Sequence, residues 1–253
     1  MLDSLLRLPG VGSAYWHFKW KVQPRKKPEM HGAAAPRAVL QSRAEWEDSI
    51  REARELGLPL HQDAPKNWDS LIALRVILEH TQPTARVLDA GAATYSVILP
   101  WLAAYGYREL VGNNLIFKTP VHVGPIVYEH GDITKASYAD GSFGAITSLS
   151  VIEHNVDVTA FLREAARLLA PGGVLVVSTD YFDPPVDTGG AVAYGGPVKV
   201  FCAADVTKIL DEARALGLEP IGDVALGCNE RCVTWSRFGL TFTFLCLALQ
   251  KKK

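Results

Sequence analysis

The residues able to do chemistry in this sequence sit at the ends of short apolar runs. Val87 and Leu88 run into Asp89, and Gly91 follows, in "VLDAGAATYS". A strand that ends in a carboxylate and a glycine turn offers backbone N–H groups to a ligand. A dinucleotide loop needs two further glycines, so that pyrophosphate can lie on the helix N-terminus. Ala93 and Tyr95 stand there instead, which leaves a nicotinamide-dependent reductase as a weak reading. Farther on, "SLSVIEH" ends in Glu153 and His154, and "STDY" carries Asp180 and Tyr181. Imidazole is the natural proton acceptor near neutral pH. His154 is therefore the candidate base, with Asp180 either orienting it or replacing it. Glu153, just past a strand, reads as an acceptor for loop amides. Of the cysteines, Cys228 and Cys232 form C-x3-C, but no second pair or nearby histidine completes a zinc site. No metal is expected.

Elements must place these residues. Trp46, Ile50, Ala53 and Leu56 mark one face of a helix over 44–56, stopped by Gly57 and Pro59. A second helix runs from about Pro65 to His80. Then strands and helices alternate. Strands are expected at "ARVLDA", "ELVGN", "PIVYEH", "AITSLSV", "VLVVST", near 218–226 and at 240–249. Helices are expected at "SVILPWLAAYG", after Asp157 as N-cap, and at 204–216. "APGG" (170–173) closes the middle one. This pattern predicts an α/β fold: a doubly wound, mostly parallel seven-stranded sheet whose last strand is antiparallel. Residues 1–82 form an N-terminal arm and cap helices, and 83–253 the main domain. The Gly- and Pro-rich stretch 183–197 reads as a lid over the strand ends.

With 253 residues, 48% hydrophobic and 21% charged, the chain has the composition of a globular protein. A net charge of −1 gives no pull towards nucleic acid. The first 30 residues nevertheless carry six basic side chains against two acidic ones. Within them "YWHFKWKV" (15–22) alternates aromatic and cationic residues, as suits an extended arm. Such an arm packs on its own domain, on a partner in a homodimer, or on a membrane surface. The opening residues lack the apolar core of a signal peptide, and a cytoplasmic location is expected. "LTFTFLCLAL" is too short to span a bilayer as a helix.

Three segments in order, "VLDAGAATYS", "GDITKASYADGSFGAITSLSVIEH" and "LREAARLLAPGGVLVVSTDY", resemble the class I, Rossmann-like S-adenosylmethionine-dependent methyltransferases. The branch they most resemble acts on small molecules and sugars. The resemblance implies that S-adenosylmethionine is the cofactor. It places Asp89, Gly91 and Ala93 in the loop against the methionine part, and Asn114 at the ribose where an acid is usual. Asp132 falls at the adenine amino group with Ile133 against the ring, and Ser150 begins a segment facing cofactor and acceptor. Asn114→Asp, which restores the usual acid, is then expected to tighten binding or leave it unchanged. The implied reaction is O-methylation of a small molecule, sugar or glycan. A non-catalytic methyltransferase-like binding protein is the alternative.

Overall fold

The computed structural model describes residues 38–253. The aromatic and basic stretch 15–22 lies outside the described residues.

The order is α1 (Arg43–Glu55), α2 (Lys66–His80), β1 (Val87–Ala90), α3 (Ile98–Ala104), β2 (Leu110–Asn114), β3 (Val121–Val123), β4 (Ile126–His130) and β5 (Phe143–Leu149). It continues with α4 (Val158–Leu168), β6 (Leu169–Tyr181), β7 (Val192–Ala193), β8 (Gly196–Pro197), α5 (Ala203–Ala215), β9 (Leu218–Pro220), β10 (Val233–Trp235) and β11 (Leu240–Lys251). Local chemistry sets the helix starts. Ser42 Oγ accepts the Glu45 N–H at 3.3 Å, and Asp157 Oδ1 accepts the Ala160 N–H at 3.0 Å.

The main sheet runs β10-β11-β6-β5-β1-β2-β4-β3, with β9 also paired to β11. β4, β2, β1, β5 and β6 are mutually parallel, and β11 lies antiparallel to β6. The seven expected strands are all present. Two short ones, β3 and β10, extend the sheet to nine. Each is three residues long, too short to show an alternating pattern. The strand expected near 218–226 is confined to Leu218–Pro220.

"APGG" does not end α4. The helix stops at Leu168, Leu169 already pairs with Phe143, and the two glycines form an irregularity inside β6. A Cβ on Gly173 would meet the carbonyl oxygens of Ala170 and Gly144 at 2.9 and 3.0 Å. The backbones approach too closely there for any other residue.

Successive residues on each strand enter opposite cores, which is what double winding requires. Val87, Ala145, Val174, Val176 and Phe244 pack with α2 and α3. Leu88, Ile146, Leu175, Val177 and Leu245 pack with α4 and α5. α2 is buried over most of its circumference, and its first turn brings Asn67, Asp69 and Ser70 inside with it. That turn lies against the carboxyl end of the sheet, where the candidate residues gather.

Candidate functional site

Gly91 opens the first loop at φ +88°, and its N–H donates to the Asn113 carbonyl at 2.9 Å. A Cβ at this position would lie 2.6 Å from both methyl groups of Val151. Only glycine allows this turn beside the segment that follows β5. Ala93 and Tyr95 are not among the positive-φ residues, so this loop needs no glycine at either place. Ala93 is buried, Tyr95 is half-exposed, and Ser96 Oγ accepts the Ala93 N–H at 3.1 Å.

Asn114 ends β2 and braces the loop. Its Nδ2 donates to the Gly91 and Ala92 carbonyls at 2.9 and 3.0 Å, and its Oδ1 accepts the Ile116 N–H at 3.2 Å. These bonds argue against the expectation for Asn114→Asp, because a carboxylate would face two carbonyl oxygens with no proton to give them. Asp132, one strand further on, is exposed. Its Oδ1 accepts from the Thr134 N–H and hydroxyl at 2.8 and 2.7 Å. Ile133 is half-buried beside it. Leu115 and Ile116, 64% and 65% exposed, add an apolar lip at the same edge. The sequence reading passed over this pair, although two exposed apolar residues after a polar strand end were the signal for it.

Asp89 does not face the loop. It is buried on the α2 side of the sheet, where Thr147 Oγ1 donates to its Oδ1 at 2.7 Å. Burial pushes this carboxyl up to about 7, against the pull of the Thr147 bond.

Beyond β5 and β6 lies a buried cluster. Lys66 Nζ donates to Ser150 Oγ and sits 4.2 Å from the centre of the Phe244 ring. Ser150 takes a left-handed conformation at φ +54°, and its N–H donates to the Ser178 carbonyl. Ser178 Oγ donates to Asp69 Oδ2 at 2.6 Å. Thr179 Oγ1 donates to Glu153 Oε2 at 3.2 Å, and Glu153 is 1% exposed. Asp180 is 4% exposed, and its carboxylate accepts no hydrogen bond among the described residues.

Burial drives the carboxyls up: Glu153 to about 7, Asp180 well above its usual range with Glu153 adding repulsion, and Asp69 in the same direction. Burial works against the Lys66 ammonium, but Asp69, Glu153 and Asp180 outweigh it and hold the cation. Lys66 and Asp69 were not foreseen. Their signal was a helix apolar on nearly all sides, whose polar first turn must then be buried too.

His154 is partly covered. Its ring lies 4.6 Å from that of Tyr194 and 6.1 Å from that of Trp235, and its Nδ1 is buried without a partner. Burial, with the Lys66 charge, lowers its pKa to about 4, so the ring is neutral and weakly basic. The stretch expected as a lid carries the β7–β8 hairpin, with Tyr194 at its tip at φ +51°. Val198 pairs with His154, and the Lys199 N–H donates to the Glu153 carbonyl, so the hairpin is stitched to this segment.

The edge thus gathers Gly91, Ala93, Asn114, Asp132, Ile133, Ser150, His154 and Asp180, while Asp89 is turned beneath it. A glycine turn that no Cβ could enter, an apolar lip and exposed Asp132 fit an adenosyl group. Unpartnered Asp180 and His154 fit an acceptor. The four cysteines are free. Among the described residues no group of three His, Cys, Asp or Glu is placed to hold a metal.

Residues 88–177 match the family model described as a methyltransferase domain. A ubiquinone biosynthesis O-methyltransferase of Xanthomonas campestris is 34% identical over 131 residues, which is 48% of this chain and 52% of that protein. The chain spans about half the length, or less, of the first curated relatives it matches. Among solved structures, a Burkholderia thailandensis 1,6-didemethyltoxoflavin-N1-methyltransferase with bound S-adenosylhomocysteine shares the fold at TM-score 0.54 and 16% identity. It covers 92% of this chain and 100% of that one. A Mesorhizobium loti S-adenosylmethionine-dependent methyltransferase superposes at TM-score 0.53 and 16% identity, over 74% and 98% of the two chains. Sheet order, glycine turn and family match agree: residues 88–177 carry a methyltransferase domain, and the fold is the class I, Rossmann-like one of S-adenosylmethionine-dependent methyltransferases.

Proposed function

We propose that the protein methylates a hydroxyl of a small molecule, sugar or glycan, with S-adenosylmethionine as donor. The bound donor supplies a methyl group already activated on a sulfonium, so no metal is needed to polarise it. The Gly91 turn, Asn114, Asp132 and Ile133 hold the donor, with Leu115 and Ile116 against its flat base. The β7–β8 hairpin covers the acceptor and excludes water.

The observation that carries this reading is His154 Nδ1, buried without a partner at the strand ends beside the 4%-exposed Asp180 carboxyl. Buried polar groups without partners are rare outside sites that await a ligand. A hydroxyl acceptor must lose its proton as it attacks, and a base is most effective when its pKa lies near the working pH. Burial and the Glu153 charge raise the Asp180 carboxyl, which makes it a stronger base, while burial lowers His154, which makes it a weaker one. Asp180 is therefore the base, and His154 orients the acceptor. The likeness to an O-methyltransferase supports a hydroxyl rather than an amine.

The test is a panel of hydroxylated small molecules and sugars, incubated with the full chain and methyl-labelled donor. Label should appear on at least one of them. Asp180→Asn should lower kcat by roughly a hundredfold or more while donor affinity holds, and His154→Ala by less. Donor binding with no transfer to any acceptor would assign a non-catalytic binding protein instead.

A further inference from the structure

We propose that Lys66 is the positioning residue of this site: its ammonium, seated on Ser150 Oγ and the Phe244 ring, holds Asp180 as the carboxylate that receives the acceptor's proton. The inference rests on the hydroxyl-methylation reading above, and the geometry behind it is independent of that reading. Phe244 lies directly across from Asp180 in the β6–β11 pairing, so the two side chains share a face of the sheet. Lys66 Nζ lies 4.2 Å from that ring, which puts the cation on the same side of the sheet as the Asp180 side chain. Ser178, two residues before Asp180 and on the same face, is bonded to Asp69 one turn along from Lys66. The end of β6 is thereby clamped to the first turn of α2.

The three buried carboxylates are not equivalent. Asp69 is taken by Ser178, and Glu153 by Thr179. Asp180 has no hydrogen-bond donor of its own among the described residues. The groups that bear on it are Glu153 after β5, Asp69 and Lys66 on α2, and Asp63 just before α2. Three of these repel a charge on Asp180, and Lys66 alone attracts one. Without the ammonium, a buried carboxylate among three others would stay protonated and unable to accept. As the acceptor oxygen bonds to the methyl carbon, the carbon–sulfur electron pair stays on sulfur, and the hydroxyl proton passes to Asp180 Oδ.

The test needs no acceptor. Full-length protein with 13C-labelled aspartate carboxyls is titrated by NMR, and the Asp180 signal is assigned by its loss in Asp180→Asn. Lys66→Gln should raise the Asp180 midpoint by about one pH unit or more, a tenfold loss of ionised form at fixed pH. Lys66→Arg, which keeps the cation, should leave it within about half a unit of the wild type. The reciprocal measurement guards against a Lys66→Gln variant that does not fold. Asp180→Asn, nearly isosteric, should lower the midpoint of the Lys66 Cε signal, since linkage between two sites is mutual. An Asp180 midpoint unmoved in Lys66→Gln, or moved as far in Lys66→Arg, overturns the proposal, as does a Lys66 midpoint unmoved in Asp180→Asn. Failure of the wild type to bind donor or transfer methyl counts against the methylation reading alone.

Discussion

Replacing Gly91 by alanine is the sharpest perturbation of the donor loop, because two separable costs meet at one atom. At φ +88° an L side chain costs roughly 1–2 kcal/mol. The new Cβ would stand 2.6 Å from both Val151 methyl groups, and overpacking of that kind costs about 1–3 kcal/mol. Restricting the unfolded chain returns roughly 0.4–1 kcal/mol. The net loss is about 2–3 kcal/mol, or roughly 5–10 °C in Tm for a chain of this size. Gly91→Ala/Val151→Ala removes the steric part and keeps the conformational one. It should therefore recover about half of the loss that Gly91→Ala adds, read as a coupling of roughly 1–2 kcal/mol in a double-mutant cycle. Scanning calorimetry reads the stability, and titration calorimetry reads S-adenosylmethionine binding, which should fall in parallel. A Gly91→Ala protein that melts within about 1 °C of wild type and binds the donor equally well would refute the reasoning. So would a double variant no better than the single one.

Two further outcomes follow from side chains at the same edge. Asn114→Asp should weaken donor binding by about tenfold, because the loop loses both hydrogen bonds to the Gly91 and Ala92 carbonyls; tighter binding by calorimetry would show that the ribose role dominates. Stability should fall as pH rises from about 5 to about 7.5. Asp89 and Glu153 have folded pKa values raised to about 7, so their contribution is full below the unfolded value near 4 and is lost as pH passes the folded one. His154, lowered to about 4, works the other way: its contribution is present above about 6.5 and lost as pH falls. With Asp69 and Asp180 raised as well and His61 lowered beside His154, the raised carboxyls outnumber the histidines, and the net slope is on the order of 1 kcal/mol per pH unit or more. Urea midpoints that rise across this window would contradict the burial argument, and Asp89→Asn should flatten the slope.

The fold was legible where pattern and length agree. The buried runs at 87–90, 143–149 and 174–181 and the capped helix after Asp157 all lie where periodicity puts them. β3, β10 and the β7–β8 hairpin escaped because two or three residues carry no period. The APGG stop signal misled because a close backbone approach inside β6 calls for glycine just as a helix end does. At the site, motif spacing located the strand ends but not what each side chain meets there. Asp89 was read as a loop residue, yet the two-residue period of β1 turns it under the sheet to Thr147. Asn114 looked like a weakened acid until its amide was seen to hold two carbonyls, a task no acid performs. Lys66 and Asp69 lie some twenty residues before the first motif, on a helix whose contact with β6 only the tertiary fold reveals.

Titration calorimetry of the full chain with S-adenosylmethionine, S-adenosylhomocysteine and NADPH tests the central claim most directly. The account predicts saturable binding of both adenosyl ligands at a single site and no heat from NADPH. Gly91→Ala should weaken both by at least about tenfold. Binding of NADPH alone, or of none of the three, would contradict the assignment of the Gly91 edge as the donor site.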